Sequence, residues 1–233
     1  MILSINQPAY LPWLGYFERI ARSDIHVVLD HVQFEKNSFT NRNKIRVKEG
    51  TTWLTIPVAT KGKFGNLEIQ NLMFAPPDKW RAKHWTSLKM SYSRAPYFDQ
   101  FQEAYEAIYI QEWSGFMPFV RAMLVQHLSD LGIQTPLVFS SEMETNGHKS
   151  DLVLNICKAL AANSYLSGSQ GRGYIDEKAF LDTGISLEYQ NYQHPVYKQV
   201  WPGFESHLGV LDLLFNHGPD SLQILMADQT PNS

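Results

Sequence analysis

Between Asp30 and Lys44 the chain sets Asp30, Gln33, Asn37, Asn41, Arg42, Asn43 and Lys44 within 15 positions. Arginine offers a planar fork to a phosphate or carboxylate, and lysine a point charge. The Asn and Gln amides supply donors and acceptors for sugar hydroxyls or a base edge. The same stretch also reads as a solvated polar hairpin. Upstream, in INQPAYLPWLGYF, Gln7, Tyr10 and Trp13 can contact a ligand, or Pro8, Pro12 and the aromatics can simply shape a rigid loop. Downstream, Ser167-Gly168-Ser169-Gln170-Gly171-Arg172-Gly173 can bring backbone N–H groups close to an anion or form an ordinary turn. In EYQNYQHPVYKQ, His194, Tyr197 and Gln199 flank Pro195. A histidine there can serve as a general base near neutral pH or as a structural imidazole. His84, on the apolar stripe of Trp80 and Leu88, reads by itself as a hydrogen-bonded core residue.

Several chemistries drop out. The eight histidines show no His-Glu-x-x-His spacing and Cys157 is the one cysteine, so neither a metal site nor a disulfide is predicted. No Gly-x-Ser-x-Gly elbow and no Gly-Lys-Ser/Thr phosphate loop occur. Cys157 falls on an apolar helical face and reads as core, not nucleophile. Residues 1–100 carry a balance of +6 and residues 101–233 one of −9. The basic half either receives an anionic ligand or is a chance partition of solvated faces. The overall charge of −3 argues against a nucleic-acid partner. The opening residues lack a basic segment and no apolar run approaches 18 residues, so neither a signal peptide nor membrane insertion is expected, and the location is read as cytoplasmic.

These residues need a scaffold. Ile2–Ile5, Ile25–Leu29, Trp53–Val58, Leu137–Ser140 and Ser164–Ser167 are short, continuous apolar runs, the pattern of parallel strands buried on both faces. Between them the spacing predicts helices through Leu14–Ala21, Trp80–Tyr92, Phe101–Ile108, Phe116–Leu131 and Leu152–Leu160, with a last one through Leu208–Phe215 stopped by Gly218-Pro219. The expectation is one α/β domain over 1–233: a three-layer, Rossmann-like fold with a mainly parallel sheet and additional helices. Residues 60–78 (Gly62, Gly65, Asn66, Pro76, Pro77) are the candidate inserted loop or hairpin, and 79–131 the helical segment. In such a sheet, ligands bind at the carboxyl ends of the strands.

Taken in order, QPAYLPWLGYFERI, DHVQFEKNSFTNRNKI with WLTIPV, Trp80–His84, Ala95–Phe98, YLSGSQGRGYID, HPVYKQ and LDLLFN resemble the WbqC-like protein family over nearly the whole chain, most thinly between about 100 and 145. The resemblance implies a role in bacterial O-antigen or other surface-polysaccharide synthesis, in which an amino acid such as glycine is placed on an amino sugar. It carries over Gln7, Pro8, Asp30, Gln33, Asn41, Arg42, Asn43, His84, Tyr197 and Gln199. Asn6 stands where relatives often have His or Met, and Gly209 where they often have Ser, so neither is given a catalytic part.

The resulting expectation is an acyl- or aminoacyltransferase acting on a nucleotide-linked amino sugar, with an activated acyl donor as second substrate and no metal; the sequence names no cofactor and no oligomeric state. Asp30 or His194 is the expected base, with Asp30 orienting the imidazole or the substrate where His194 takes the proton, and His84 in reserve. Asn43 or the glycine-loop N–H groups are expected to hold the oxyanion, and Arg42 and Lys44 the diphosphate. Gln7, Tyr10, Gln33, Asn37, Asn41, Ser167, Gly168, Arg172, Tyr197 and Gln199 complete the substrate-contacting set. The alternatives are an ATP-dependent adenylating or nucleotidyltransferase-like enzyme and a non-catalytic sugar-nucleotide or glycan-binding protein.

Overall fold

The computed structural model describes residues 1–62, 65 and 67–227. Five strands, β1 (Ile2–Asn6), β2 (Ile25–Val28), β5 (Leu137–Phe139), β6 (Ser164–Ser167) and β7 (Ser186–Tyr189), form one sheet in the order β5-β2-β1-β6-β7, with every pairing parallel. A separate antiparallel hairpin joins β3 (Arg42–Val47) and β4 (Gly50–Thr55). The fold is a three-layer, Rossmann-like α/β structure.

The strands form where the sequence is apolar on both faces because helices cover both. Leu3, Ile5 and Val27 pack with α5 (Ser150–Ala159) and α6 (Glu177–Asp182) on one side. On the other, Val28 and Phe139 join α1 (Leu14–Ala21), α2 (Trp80–Tyr92), α3 (Phe98–Ile110), α4 (Phe116–Leu131) and α7 (Leu211–His217). Gly132 ends α4 at φ 72°, a left-handed cap that glycine adopts without strain. Gly218 stops α7 as expected, but that helix is not the last. A short 3-10 turn over Gly218–Asp220 leads into α8 (Ser221–Met226), which packs against α1.

Two element assignments differ in the structure. WLTIPV is not a parallel core strand: its first half is β4, which buries Leu54 and turns Trp53, 44% exposed, outward. Its partner β3 went unread because RNKIRV alternates cations with smaller groups. The hairpin lies at 42–55, while the described residues of 60–78, expected as an inserted loop or hairpin, form a loop with a 3-10 turn over Ile69–Asn71 and a bridge from Phe74 to Val58; Asn66 falls outside the described residues.

The order places β1 in the middle. The chain proceeds outward from β1 to β2 and β5, then returns to lay β6 against the other side of β1. The connections leave β1 and β6 in opposite directions, opening a crevice at their carboxyl ends. The β1–α1 loop (7–13) and the turn after β6 rim it. The segment leading into the hairpin is docked on that loop by Tyr10 N–H to the carbonyls of Phe39 and Thr40, at 3.2 and 3.0 Å, and the hairpin itself by Asn43 Nδ2 to the Leu11 carbonyl.

Candidate functional site at the carboxyl edge of the sheet

At the β2 and β5 ends, Asp30 is 3% exposed and accepts hydrogen bonds from Ser140 Oγ (3.0 Å), Ser141 N (2.8 Å) and Ser141 Oγ (2.7 Å). The Ser140 hydroxyl has one proton, which it gives to the carboxylate, so its remaining neighbours are donors: Asp30 N at 3.0 Å and His31 Nδ1 at 2.6 Å. That arrangement assigns the proton of His31 to Nδ1. Its Nε2 has no hydrogen bond among the described residues, and His31 is only half-buried. Asp30 thus orients an imidazole through a serine, and the imidazole is His31.

The expected Asp30–His194 pair is not made. His194 Nδ1–H donates to the Pro195 carbonyl at 2.9 Å and Nε2 accepts from His207 N–H at 3.1 Å. Its ring lies among Tyr192, Tyr197, Phe204 and His207. Both nitrogens are used, and burial lowers its pKa. His84 is buried against Tyr10, its Nδ1 2.9 Å from the Tyr10 hydroxyl, and burial pushes its pKa down to about 4. Tyr10 is itself fully buried, with Tyr109 as its other hydroxyl partner.

Most of the amide cluster fastens the hairpin. Asn41 Nδ2 donates to the Ile56 carbonyl (2.8 Å), and Asn43 Nδ2 to the Leu11 carbonyl (2.5 Å) while its Oδ1 accepts Lys44 N–H (2.7 Å). Asn43 is therefore not aimed at an oxyanion. Gln33 bridges Phe34 O and Leu67 N. Tyr197 (2.9 Å) and Gln199 (2.8 Å) both donate to Oδ2 of fully buried Asp212, which Tyr92 also stabilises; desolvation nevertheless raises the Asp212 pKa to about 6. The cations face outward. Arg42 lies over Trp53 at 4.6 Å and donates to the Asn37 carbonyl, with Lys44 on the same ring at 5.7 Å. Gln7 is exposed at the β1 end, and Arg172 lies over Tyr189 at 4.2 Å.

At the β1/β6 crevice stands a residue that sequence reasoning passed over. Arg19, on the inner side of α1, is 8% exposed and donates through Nη2 to Asn6 Oδ1. Beside it Gly168 follows β6, where a Cβ would fall on Arg19 Nη1. Ser167, 1% exposed, bonds the Gly168 carbonyl at 3.1 Å. Among the described residues no three of His, Cys, Asp and Glu converge on a metal position.

The sequence profile of the WbqC-like protein family matches residues 7–224. The chain belongs to this family. The WbqC-like chain is 35% identical over 221 residues to the uncharacterized protein Rv1507c of Mycobacterium tuberculosis (strain ATCC 25618 / H37Rv), a match covering 94% of this chain and 95% of that one. No solved structure matches. The matched span takes in the β1–α1 loop, Arg19, the Asp30–His31 turn, the hairpin and the turn after β6, and begins just after Asn6. No helix among the described residues is long and apolar enough to cross a membrane.

Proposed function

We propose that this WbqC-like chain transfers an acyl or aminoacyl group, such as glycyl, to the amine of a nucleotide-linked sugar in the cytoplasm, for bacterial surface-polysaccharide synthesis. The observation that carries the reading is the hydrogen-bonded series Asp30–Ser140–His31 at the carboxyl ends of β2 and β5, which leaves His31 Nε2 as an oriented acceptor. In this scheme His31 takes a proton from the sugar ammonium. The freed amine attacks the carbonyl of the activated donor, and the tetrahedral intermediate expels the donor's leaving group. A general base of this kind contributes on the order of 10²–10⁴-fold.

The test uses mass spectrometry of the surface polysaccharide from a deletion strain. Loss of one acyl mass, restored by the wild-type gene and not by His31→Gln, supports the reading. Unchanged polysaccharide overturns it, and full restoration by His31→Gln removes the base.

A second reading is favoured by a separate observation: all three bases expected from sequence, Asp30, His84 and His194, are engaged inside the protein. On that reading the chain binds a sugar nucleotide or glycan without turning it over. Ligand binding with no product from any acyl donor would single it out.

A further inference from the structure

The guanidinium of Arg19 has five N–H donors, and its single hydrogen bond among the described residues goes to Asn6. No ion pair involves it among those residues. The nearest carboxylate in sequence, Glu18, is bonded by Arg22 at 3.2 Å and by Gln190, and Arg22 also pairs with Glu188. Burial lowers the Arg19 pKa, with Tyr165, Tyr16, Glu18 and Tyr174 opposing the shift from around it. A buried, incompletely bonded cation is costly unless something completes it.

The atoms about it are incomplete as well. Arg19 Nε, Asn6 Nδ2, Tyr16 OH and His26 Nε2 are all buried without a hydrogen-bond partner. Tyr16 packs edge-on against His26, whose Nδ1 is 2.7 Å from Ser4 Oγ, and Arg19 helps hold the His26 ring neutral. Buried polar groups are paired in the great majority, and a cluster of exceptions marks a place where a polar group from outside belongs. Three of the four unpaired atoms are donors whatever the tautomer: a guanidinium N–H, an amide N–H and a phenolic hydroxyl. The complement is an anion. The position lies at the β1/β6 switch point, beside the half-buried Asn6 and exposed Gln7, and the missing Cβ of Gly168 is what makes room for the Arg19 guanidinium there.

We propose that Arg19, with the side-chain amide of Asn6, receives a phosphate group of the ligand at the β1/β6 switch point. The inference rests on the function proposed above and specifies its substrate: the sugar arrives on a nucleoside diphosphate, whose charge Arg19 completes. The outward-facing Arg42 and Lys44, on the hairpin, are then secondary to it.

Calorimetry with inorganic pyrophosphate and the four common nucleoside 5′-diphosphates tests this on the full chain. The decisive variant is Asn6→Asp, which puts a carboxylate where Arg19 already bonds, so the cation is neutralised from within and the fold keeps its contact. Wild type binds at least one probe. Asn6→Asp and Arg19→Met weaken it on the order of 10- to 100-fold, the range of one charged hydrogen bond, while Arg42→Gln changes it only a few-fold. Equal affinity in Asn6→Asp overturns the proposal, as does wild-type protein that binds none of the probes. Phosphate binding that depends on Arg19 in a protein without transferase activity upholds this site while ending the transferase reading. Transfer whose sugar-nucleotide KM is untouched by Asn6→Asp does the reverse.

Discussion

Two arginines are buried in this chain, and they are opposites. Arg46, 4% exposed on β3, gives Nη1 to the carbonyls of Val47 (3.1 Å) and Gly50 (2.7 Å) and Nη2 to that of Pro202 (2.5 Å), with Asp212 nearby. It closes the hairpin and ties it to the C-terminal segment. Arg19, 8% exposed in the β1/β6 crevice, reaches one side-chain oxygen and leaves its surroundings unpaired. Burial alone does not separate structural charge from functional charge. The number of donors already satisfied does: Arg46 gives three hydrogen bonds to carbonyls and keeps its Nε unpaired, whereas Arg19 gives one, so far more of Arg19 is left to offer a ligand.

The sharpest way to break the comparison is to remove each arginine in turn. Arg46→Met strands three carbonyls and should cost about 3–5 kcal/mol, the scale of breaking a buried network. Arg19→Met, which deletes a poorly compensated charge and keeps the apolar stem, should leave stability within about 1 kcal/mol of wild type or raise it. Urea unfolding midpoints measure both. Equal losses would erase the distinction between the two regions.

A second test sharpens it through pH. Burial depresses the pKa of His84 to about 4 and those of His26 and His127 to about 3. Each takes up a proton near its ordinary value of about 6.5 once unfolded, so its contribution is complete above that value and falls as pH drops. At pH 5 each imidazole should account for about 2 kcal/mol of lost stability. Asp212 acts in the opposite sense: its folded pKa is raised, so its contribution is complete below about 4 and is lost as pH rises through about 6. Three imidazoles outweigh one carboxylate, and denaturant titrations from pH 7 to pH 5 should show net destabilisation. His127→Gln should flatten that slope by roughly two fifths, and an unchanged slope would show that His127 is not held neutral.

The smallest effects are expected at His194 and Cys157. With both ring nitrogens bonded within the protein, His194→Ala should leave turnover within a few-fold. Cys157 is fully buried with its thiol pKa pushed up to about 12, so Cys157→Ser should cost about 1 kcal/mol of stability and little rate. Steady-state kinetics on folded variants checks both, and an abolished rate in either would return it to the chemistry.

How much the sequence reveals follows the same division. β1, β2, β5 and β6 were legible because burial on both faces writes a continuous apolar run, and α4 because its stripe ends at Gly132. WLTIPV obeyed the same pattern and misled, since the outward position of Trp53 depends on which strand pairs with β4. SLEY in β7 is too short and too polar to announce a strand. In the site, Asp30 was legible by its place after a strand, but the adjacent His31 went unweighed because nothing local shows that Ser140, 109 positions away, would fix its ring. Arg19 was hidden for a related reason. α1 is covered by the sheet on one side and α8 on another, so its apolar stripe understates its burial. That an arginine lacks partners is a property of the assembled fold.

The most direct measurement is the thermal unfolding midpoint of wild type and Arg19→Met, each with and without a saturating nucleoside diphosphate. If Arg19 completes a phosphate site, Arg19→Met alone stays within about 1 kcal/mol of wild type or above it, the ligand raises the wild-type midpoint by several degrees, and it raises the variant's midpoint by clearly less. A variant that is less stable without ligand yet gains the same increment with it would contradict the account, because Arg19 would then be holding the fold and not the phosphate.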